Sequence, residues 1–290
     1  MWLVWFSLAL CVLVVAGIGI AAYGSRQWAR MIAAQTNELN ATELAAEGTS
    51  AHPTRYDSRE LNALPAPVQR YFQAVLKDGQ PIIAAATIDV AGTFNMSPTG
   101  EQWKPFTSRQ RVVNRRPGFL WDAKITMVPG LQVRVVDSYI AGTGRLRAAI
   151  LGLFTMADIS GGGEIARGEF MRYFAEAAWY PTALLPSQGV RWDALDDSSA
   201  NATIVEGPFT VTLLFRFNEA GLIGSFRAEA RGAGSGKEML MLPWEGTWSN
   251  YQTRDGVTVP FAGEVAYMRL EGRKPYFVGN VTSLNYEYAA

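Results

Sequence analysis

"GFLWDAKITM" (118–127) alternates. Phe119, Trp121, Ala123, Ile125 and Met127 fall on one side of an extended chain, and Asp122, Lys124 and Thr126 on the other. That two-residue period marks a half-buried strand, because successive side chains in a strand point to opposite faces. The same period recurs downstream. "FTVTLLFRFN" (209–218) gathers Phe209, Val211, Leu213, Phe215 and Phe217, and "LIGSFRAEAR" (222–231) sets Phe226, Ala228 and Ala230 against Arg227, Glu229 and Arg231. Further strands are expected over 82–94, 104–113, 131–139, 201–206, 244–251, 257–270 and 276–288. Turn residues separate them at "NEAG" (218–221), "RDG" (254–256) and "EGRKP" (271–275). The pattern predicts a mainly β, α+β chain built on an antiparallel sheet with one apolar and one wet face.

Two segments break the alternation. "LPAPVQRYFQAVLKDG" (64–79) reads as a short helix, with Pro67 at an early position and Lys77 and Gly79 as stop signals. From Glu164 to Tyr180, residues Phe170, Phe174, Ala177 and Ala178 recur at helical spacings, and Pro181 ends the run. Aromatic residues make up 12% of the chain, and their stripes exceed what one short helix covers. Either two sheets pack as a sandwich, or one curved sheet, an incomplete barrel, leaves a cavity roofed by the second helix and the "ALLP" loop.

"WLVWFSLALCVLVVAGIGIAAY" (2–23) is a run of 22 residues without a charge. As a helix it is long enough to span about 30 Å of hydrocarbon. Trp2, Trp5 and Tyr23 stand near its ends, where aromatic rings favour the interface. A basic n-region is missing and the run exceeds a usual signal-peptide core, which argues for an uncleaved anchor. Leu10 is too large for a lipoprotein cleavage site at "LALC". Residues 1–24 are therefore expected to be a single-pass transmembrane anchor, 25–56 a juxtamembrane helix and linker, and 57–290 a β-rich domain. Arg26 and Arg30 follow the span and no base precedes it, which favours a cytoplasmic domain.

Chemistry is sparse. Lys plus Arg number 26 against 26 Asp plus Glu, which gives no basic footprint for nucleic acid. Cys11 lies in the apolar run and the one His, His52, in the linker, so neither a catalytic triad nor a His/Cys zinc site can be assembled. No cofactor or metal is expected. "GAGSGKE" (232–238) lacks the first Gly and the final Ser/Thr of a phosphate loop and reads as a mobile hairpin; "GTGRL" (142–146) reads as a turn. Asp122 and Asp137 read as solvated strand acids, and Asp196 and Asp197 as turn acids. Glu169, Arg172, Glu176 and Trp179 fall close to one helical face. They read as a structural ion pair pinning helix to sheet, with an acid–base role for Glu169 or Glu176, assisted by Arg172, as the catalytic alternative.

Several stretches carry a resemblance: "LPAPVQRYF" (64–72), "RPGFLWDAKITM" (116–127), "RYFAEAAWYPTALLPS" (172–187), "PWEGTWSNY" (243–251) and "VPFAGEVAY" (259–267). In this order they resemble an uncharacterised bacterial family of membrane-anchored proteins, a domain of unknown function, over roughly 57–288. A looser likeness is to lipoprotein-localisation carriers of the LolA and LppX type. It implies a curved antiparallel sheet closed by helices around a lipid-sized cavity, and it favours the opposite side of the membrane from that of Arg26 and Arg30. The family brings no catalytic residues.

These readings converge on a membrane-tethered module for a lipid or other hydrophobic ligand. Its expected lining is Phe174, Trp179, Tyr180, Leu184 and Leu185 under a helical lid, with Trp121 and Phe215 below. A hydrolase-type enzyme and a protein-binding scaffold with a flat apolar patch are the alternatives.

Overall fold

Thirteen strands form one antiparallel sheet in the computed structural model, which describes residues 1–47, 53–97, 100–234 and 239–289. His52, most of the expected linker and residues 235–238 of the "GAGSGKE" hairpin lie outside the described residues. One meander comprises β1 (Ile83–Asn95), β2 (Trp103–Val113), β3 (Gly118–Val128), β4 (Leu131–Ile140), β5 (Thr143–Ile150) and β6 (Phe154–Gly161). A second comprises β7 (Arg191–Asp196), β8 (Ser199–Glu206), β9 (Phe209–Phe217), β10 (Ile223–Ala233), β11 (Leu240–Arg254), β12 (Val257–Arg269) and β13 (Gly272–Tyr288). The first and last strands pair with each other, so the order is β6-β5-β4-β3-β2-β1-β13-β12-β11-β10-β9-β8-β7. The sheet curves without closing, and β6 and β7 are its edges.

Three strands, β5, β6 and β7, go beyond the sequence expectation. The "GTGRL" turn is confined to its start: Gly142 takes φ +83°, and β5 begins at Thr143. Gly144 is needed inside β5 because a Cβ there would lie 2.6 Å from the Ala166 backbone, so the missing side chain lets a helix rest directly on the strand.

The inner face follows the alternation. Phe119, Trp121, Ala123 and Ile125 of β3 and Val211, Leu213, Phe215 and Phe217 of β9 are all buried in one core. Into it pack α2 (Ala66–Val75), through Val68, Tyr71, Phe72 and Val75, and α3 (Gly163–Ala175), which joins the two meanders. The α-helical hydrogen bonding of α3 ends at Ala175, six residues before Pro181, and continues as short 3-10 turns over Glu176–Trp179, Pro181–Leu184 and Pro186–Gln188. A residue before proline is pushed out of the helical region, and Tyr180 accordingly sits at φ −136°, ψ 65°.

The outer face departs from the expectation of a wet surface. The apolar run and the juxtamembrane segment are one helix, α1 (Trp2–Glu47), of 46 residues and therefore about 69 Å long. Its first half is exposed and is long and apolar enough to cross a membrane. Its second half lies on the back of the first meander, where Trp28 and Leu39 bury Val113, Leu120, Val136, Ile140 and Ala149 in a separate small core. The Trp28 indole N–H donates to Asp122 at 2.8 Å, and the Arg134 guanidinium lies 5.5 Å above the same ring. Asp122 is thus a partnered acid, held also by Arg134 at 3.0 Å, and not a solvated one. Gly24 is buried where the exposed half ends, and a Cβ there would collide with the Leu151 carbonyl and the Leu153 side chain.

Candidate functional site

One end of the curved sheet is plugged and the other is open. At the plugged end Phe174 meets Phe215 edge-on at 6.0 Å, Trp192 packs 5.5 Å from Phe215, and the Trp192 indole donates to the Leu184 carbonyl at 3.0 Å. Thr182 is fully buried and accepts from the Ile83 amide at 3.0 Å. Phe174, Tyr180, Leu184, Leu185 and Phe215 have no measurable exposure, and they are not among the residues that line the cavity above them. Residues 181–185 are buried, and the segment packs into the core at this end.

Above this plug lies a cavity of about 430 Å³. Trp121 and Trp179 are the two expected lining residues that reach it; Phe94, Trp244, Trp248 and Phe277 supply further apolar wall. Trp179 is fixed edge-on to Trp248 at 4.9 Å, with its indole N–H on the Pro260 carbonyl at 3.0 Å. The mouth is bordered by Met96 and Glu101 of the β1–β2 hairpin, Gly234 and Met239 of β10–β11, and Arg269 and Lys274 of β12–β13.

The cavity floor is charged. Arg172 bonds Glu176 and Asp137 at 2.8 Å each, and the Gln110 amide oxygen at 3.3 Å. Gln110 in turn donates to Glu176 at 2.6 Å. The Arg172 guanidinium stacks 4.7 Å from Trp121 and 5.0 Å from Phe119, an arrangement that favours a desolvated cation. Asp137 was expected to be solvated. Its pairing with Trp121 across the β3–β4 ladder instead turns it inward beside that ring. Glu169 pairs with Arg231 at 3.6 Å, and Arg231 also bonds Tyr267 at 2.7 Å and the Gly168 carbonyl at 3.1 Å, over the Trp244 ring at 4.7 Å.

Arg231 is the floor residue that alternation misplaced. Counting by twos sets it outward with Arg227. Between Ala228 and Arg231 the β10–β11 register slips, since Ala228 faces Trp244 but Arg231 faces Leu242. The extra residue in β10 reverses inside and outside beyond it, as bulges do. No turn-type signal marks the bulge in "RAEARGAG".

The floor sets the carboxyls of Asp137, Glu169 and Glu176 against the guanidiniums of Arg172 and Arg231. Burial, reinforced by the nearby Asp137 carboxylate, pushes the Glu169 carboxyl up to about 8 against the pull of both arginines. Burial also raises Asp137. Glu169 Oε2 and Asp137 Oδ1 are buried and lack a hydrogen-bond partner among the described residues. Two acceptor positions thus stand open at the bottom of an apolar-walled cavity. Among the described residues, no three of His, Cys, Asp and Glu converge as a metal-holding group.

The chain belongs to a family of unknown function (DUF6920), whose model matches residues 62–286. This agrees with the family resemblance carried by the motifs between 64 and 267. Among solved structures it is similar to a LolA superfamily protein from Nitrosomonas europaea, at 10% identity and a TM-score of 0.42, over 79% of this chain and 96% of that one. It is also similar to a beta-barrel-like protein of domain of unknown function DUF1849 from Brucella abortus, at 10% identity and a TM-score of 0.21, over 71% of this chain and 99% of that one. No curated protein matches the chain.

Proposed function

We propose that this chain is a membrane-tethered module that holds one amphiphilic molecule in its open barrel. The apolar part lies against Trp121, Trp179, Trp244 and Phe277, and a hydrogen-bond-donating group, an ammonium or hydroxyl, meets Glu169 and Asp137. The observation that carries this reading is the pair of unpartnered buried carboxyl oxygens at the end of an apolar-walled cavity. Unmet buried acceptors cost about 1–3 kcal/mol each, so a donor that fills them is favoured. The volume, about 430 Å³, falls in the roughly 300–1,000 Å³ range of small-molecule sites. Each methylene buried contributes about 0.8 kcal/mol. An anionic head is disfavoured, because the arginines already serve protein acceptors.

Tethering is supported by α1. Its apolar half continues without a break into a half that is part of the fold, with Gly24 seated on the β5–β6 turn.

Native mass spectrometry of the full chain, released from phospholipid nanodiscs, tests the reading. One bound amphiphile per chain, lost on Glu169→Leu with the fold retained, is the expected result; a chain that takes up no amphiphile refutes it. A hydrolytic reading with Glu169 as proton donor draws on its raised pKa, but Glu176 is held by Arg172 and Gln110 and is not free to act as the second group.

A further inference from the structure

We infer that the open end of the barrel is itself a membrane-contacting surface, seated on the bilayer that α1 enters, so that the cavity exchanges its ligand with the lipid phase directly. This rests on reading α1 as a membrane span.

The ladder registers fix which end is which. One row of cross-strand partners runs from Phe154 through Ile125 and Gly92 to Trp248. The β1–β2, β3–β4, β5–β6, β10–β11 and β12–β13 hairpins all lie to one side of that row. Three of them border the cavity mouth. Along α1, Leu39 lies against Gly118, at the end of β3 far from its β3–β4 hairpin, whereas Gly24 lies against the β5–β6 turn. The helix therefore runs towards the hairpin side as its numbers fall, and its apolar half leaves the domain there. The mouth and the membrane span share one end.

The hairpins at that end are dressed for an apolar medium. Val128, Phe154, Met156, Leu240, Met241 and Leu270 are exposed there, Leu270 completely. Leu195, Val205 and Tyr288 are the other large apolar side chains exposed among the described residues outside α1, so the exposed apolar groups concentrate at the mouth. Exposed apolar surface of this kind marks a protein or membrane contact. The bilayer is the occupant already present, because Phe154 and Met156 follow directly on the turn that Gly24 touches. The same tips carry Lys104, Arg269 and Lys274 against Glu101 and Glu271, so both signs are present and apolar insertion, not anionic lipid, supplies the affinity.

The test uses the full chain with Cys11→Ser in phosphatidylcholine nanodiscs. Single Phe154→Cys, Leu270→Cys and Thr253→Cys variants carry an environment-sensitive fluorophore, and a fraction of the lipid carries a nitroxide on its acyl chain. Emission is expected to fall at least twofold at 154 and 270 and to stay unchanged at 253, on the opposite end of the sheet. Equal, unquenched emission at all three positions overturns the inference. In a second arm, Phe154→Asp with Leu270→Asp slows uptake of a fluorescent lipid from nanodiscs about tenfold and leaves uptake from detergent micelles unaltered; equal slowing from both sources also overturns it. A parent chain that loads from neither source defeats the amphiphile reading instead, and the quenching arm still decides whether the mouth touches lipid.

Discussion

The Arg172 guanidinium on α3 meets the Asp137 carboxylate on β4 at 2.8 Å, between two aromatic rings and away from solvent. Removing one partner of a buried pair strands the other and costs about 3–5 kcal/mol, whereas removing all the charges together costs far less. Arg172→Met is therefore expected to lower the urea midpoint sharply. Adding Asp137→Asn and Glu176→Gln to it should restore most of the loss. If the triple variant is no more stable than Arg172→Met, the cluster is not an interdependent unit.

Glu169 makes stability depend on pH in an unusual direction. Its carboxyl is raised from 4.5 to about 8, so the folded chain holds that proton more tightly than the unfolded chain does. The stabilisation is fully present below 4.5 and is lost as pH rises through about 8, by an amount on the order of a few kcal/mol. Denaturant midpoints measured across this window should decline in the parent and decline less in Glu169→Gln. Parallel profiles would show that another group titrates.

Trp28 fastens the outer half of α1 to the sheet. Trp28→Ala removes the bond to Asp122 and a fully buried ring, at a cost of about 3–5 kcal/mol. Because this core is separate from the main one, the loss should be local. Hydrogen exchange is expected to speed up over 25–45 and to stay unchanged in β9–β12. Uniform acceleration throughout would mean that α1 is an integral part of global folding.

Gly168 borders the cavity with no positive φ, and a Cβ there meets nothing nearer than Arg231 at 3.8 Å. Gly168→Leu places a side chain in the cavity while improving helix propensity by roughly 1 kcal/mol. The variant should melt at or above the parent's temperature and bind amphiphile at least tenfold more weakly. Unimpaired binding would place the ligand elsewhere.

The Arg231 side chain that the β10 bulge brings inward can be tested by substitution. Arg231→Met leaves the bulge in place and removes the cation beside Glu169. The substitution should destabilise the chain by several kcal/mol, as loss of a partner in a buried pair does, and adding Glu169→Leu should recover part of it. A substitution without effect would show that Arg231 contributes nothing inside the barrel.

That bulge also explains how far the sequence could be read. Strands such as β3 and β9 announce themselves because one face is uniformly apolar. β5 and β6 do not: Arg145, Arg147 and Asp158 punctuate them, and α1 and α3 cover opposite sides of that edge, so no clean alternation survives. Trp121 and Trp179 were identifiable as aromatics near the helix, but which aromatics face space and which face one another depends on where the plug ends, a tertiary matter. Asp137 was visible in the alternation of Val133, Val135 and Tyr139. Its chemical type argued against an inward place until Arg172 supplied a partner. Arg231 had no local signal, because the slip that reverses it is a property of the β10–β11 pair.

The seam between the two meanders sets a timetable. Ile83 pairs with Tyr288, so the central ladder joins segments about as far apart in sequence as the fold allows, while every other ladder joins neighbouring hairpin strands. Loop closure over such a distance is entropically costly and slow, whereas hairpins form locally and fast. Each wing can assemble as it is synthesised, but the barrel wall cannot be completed until β13 has left the ribosome. Until then β1 presents an unpaired edge, and this interval is when the protein is most exposed to aggregation or to capture by a chaperone.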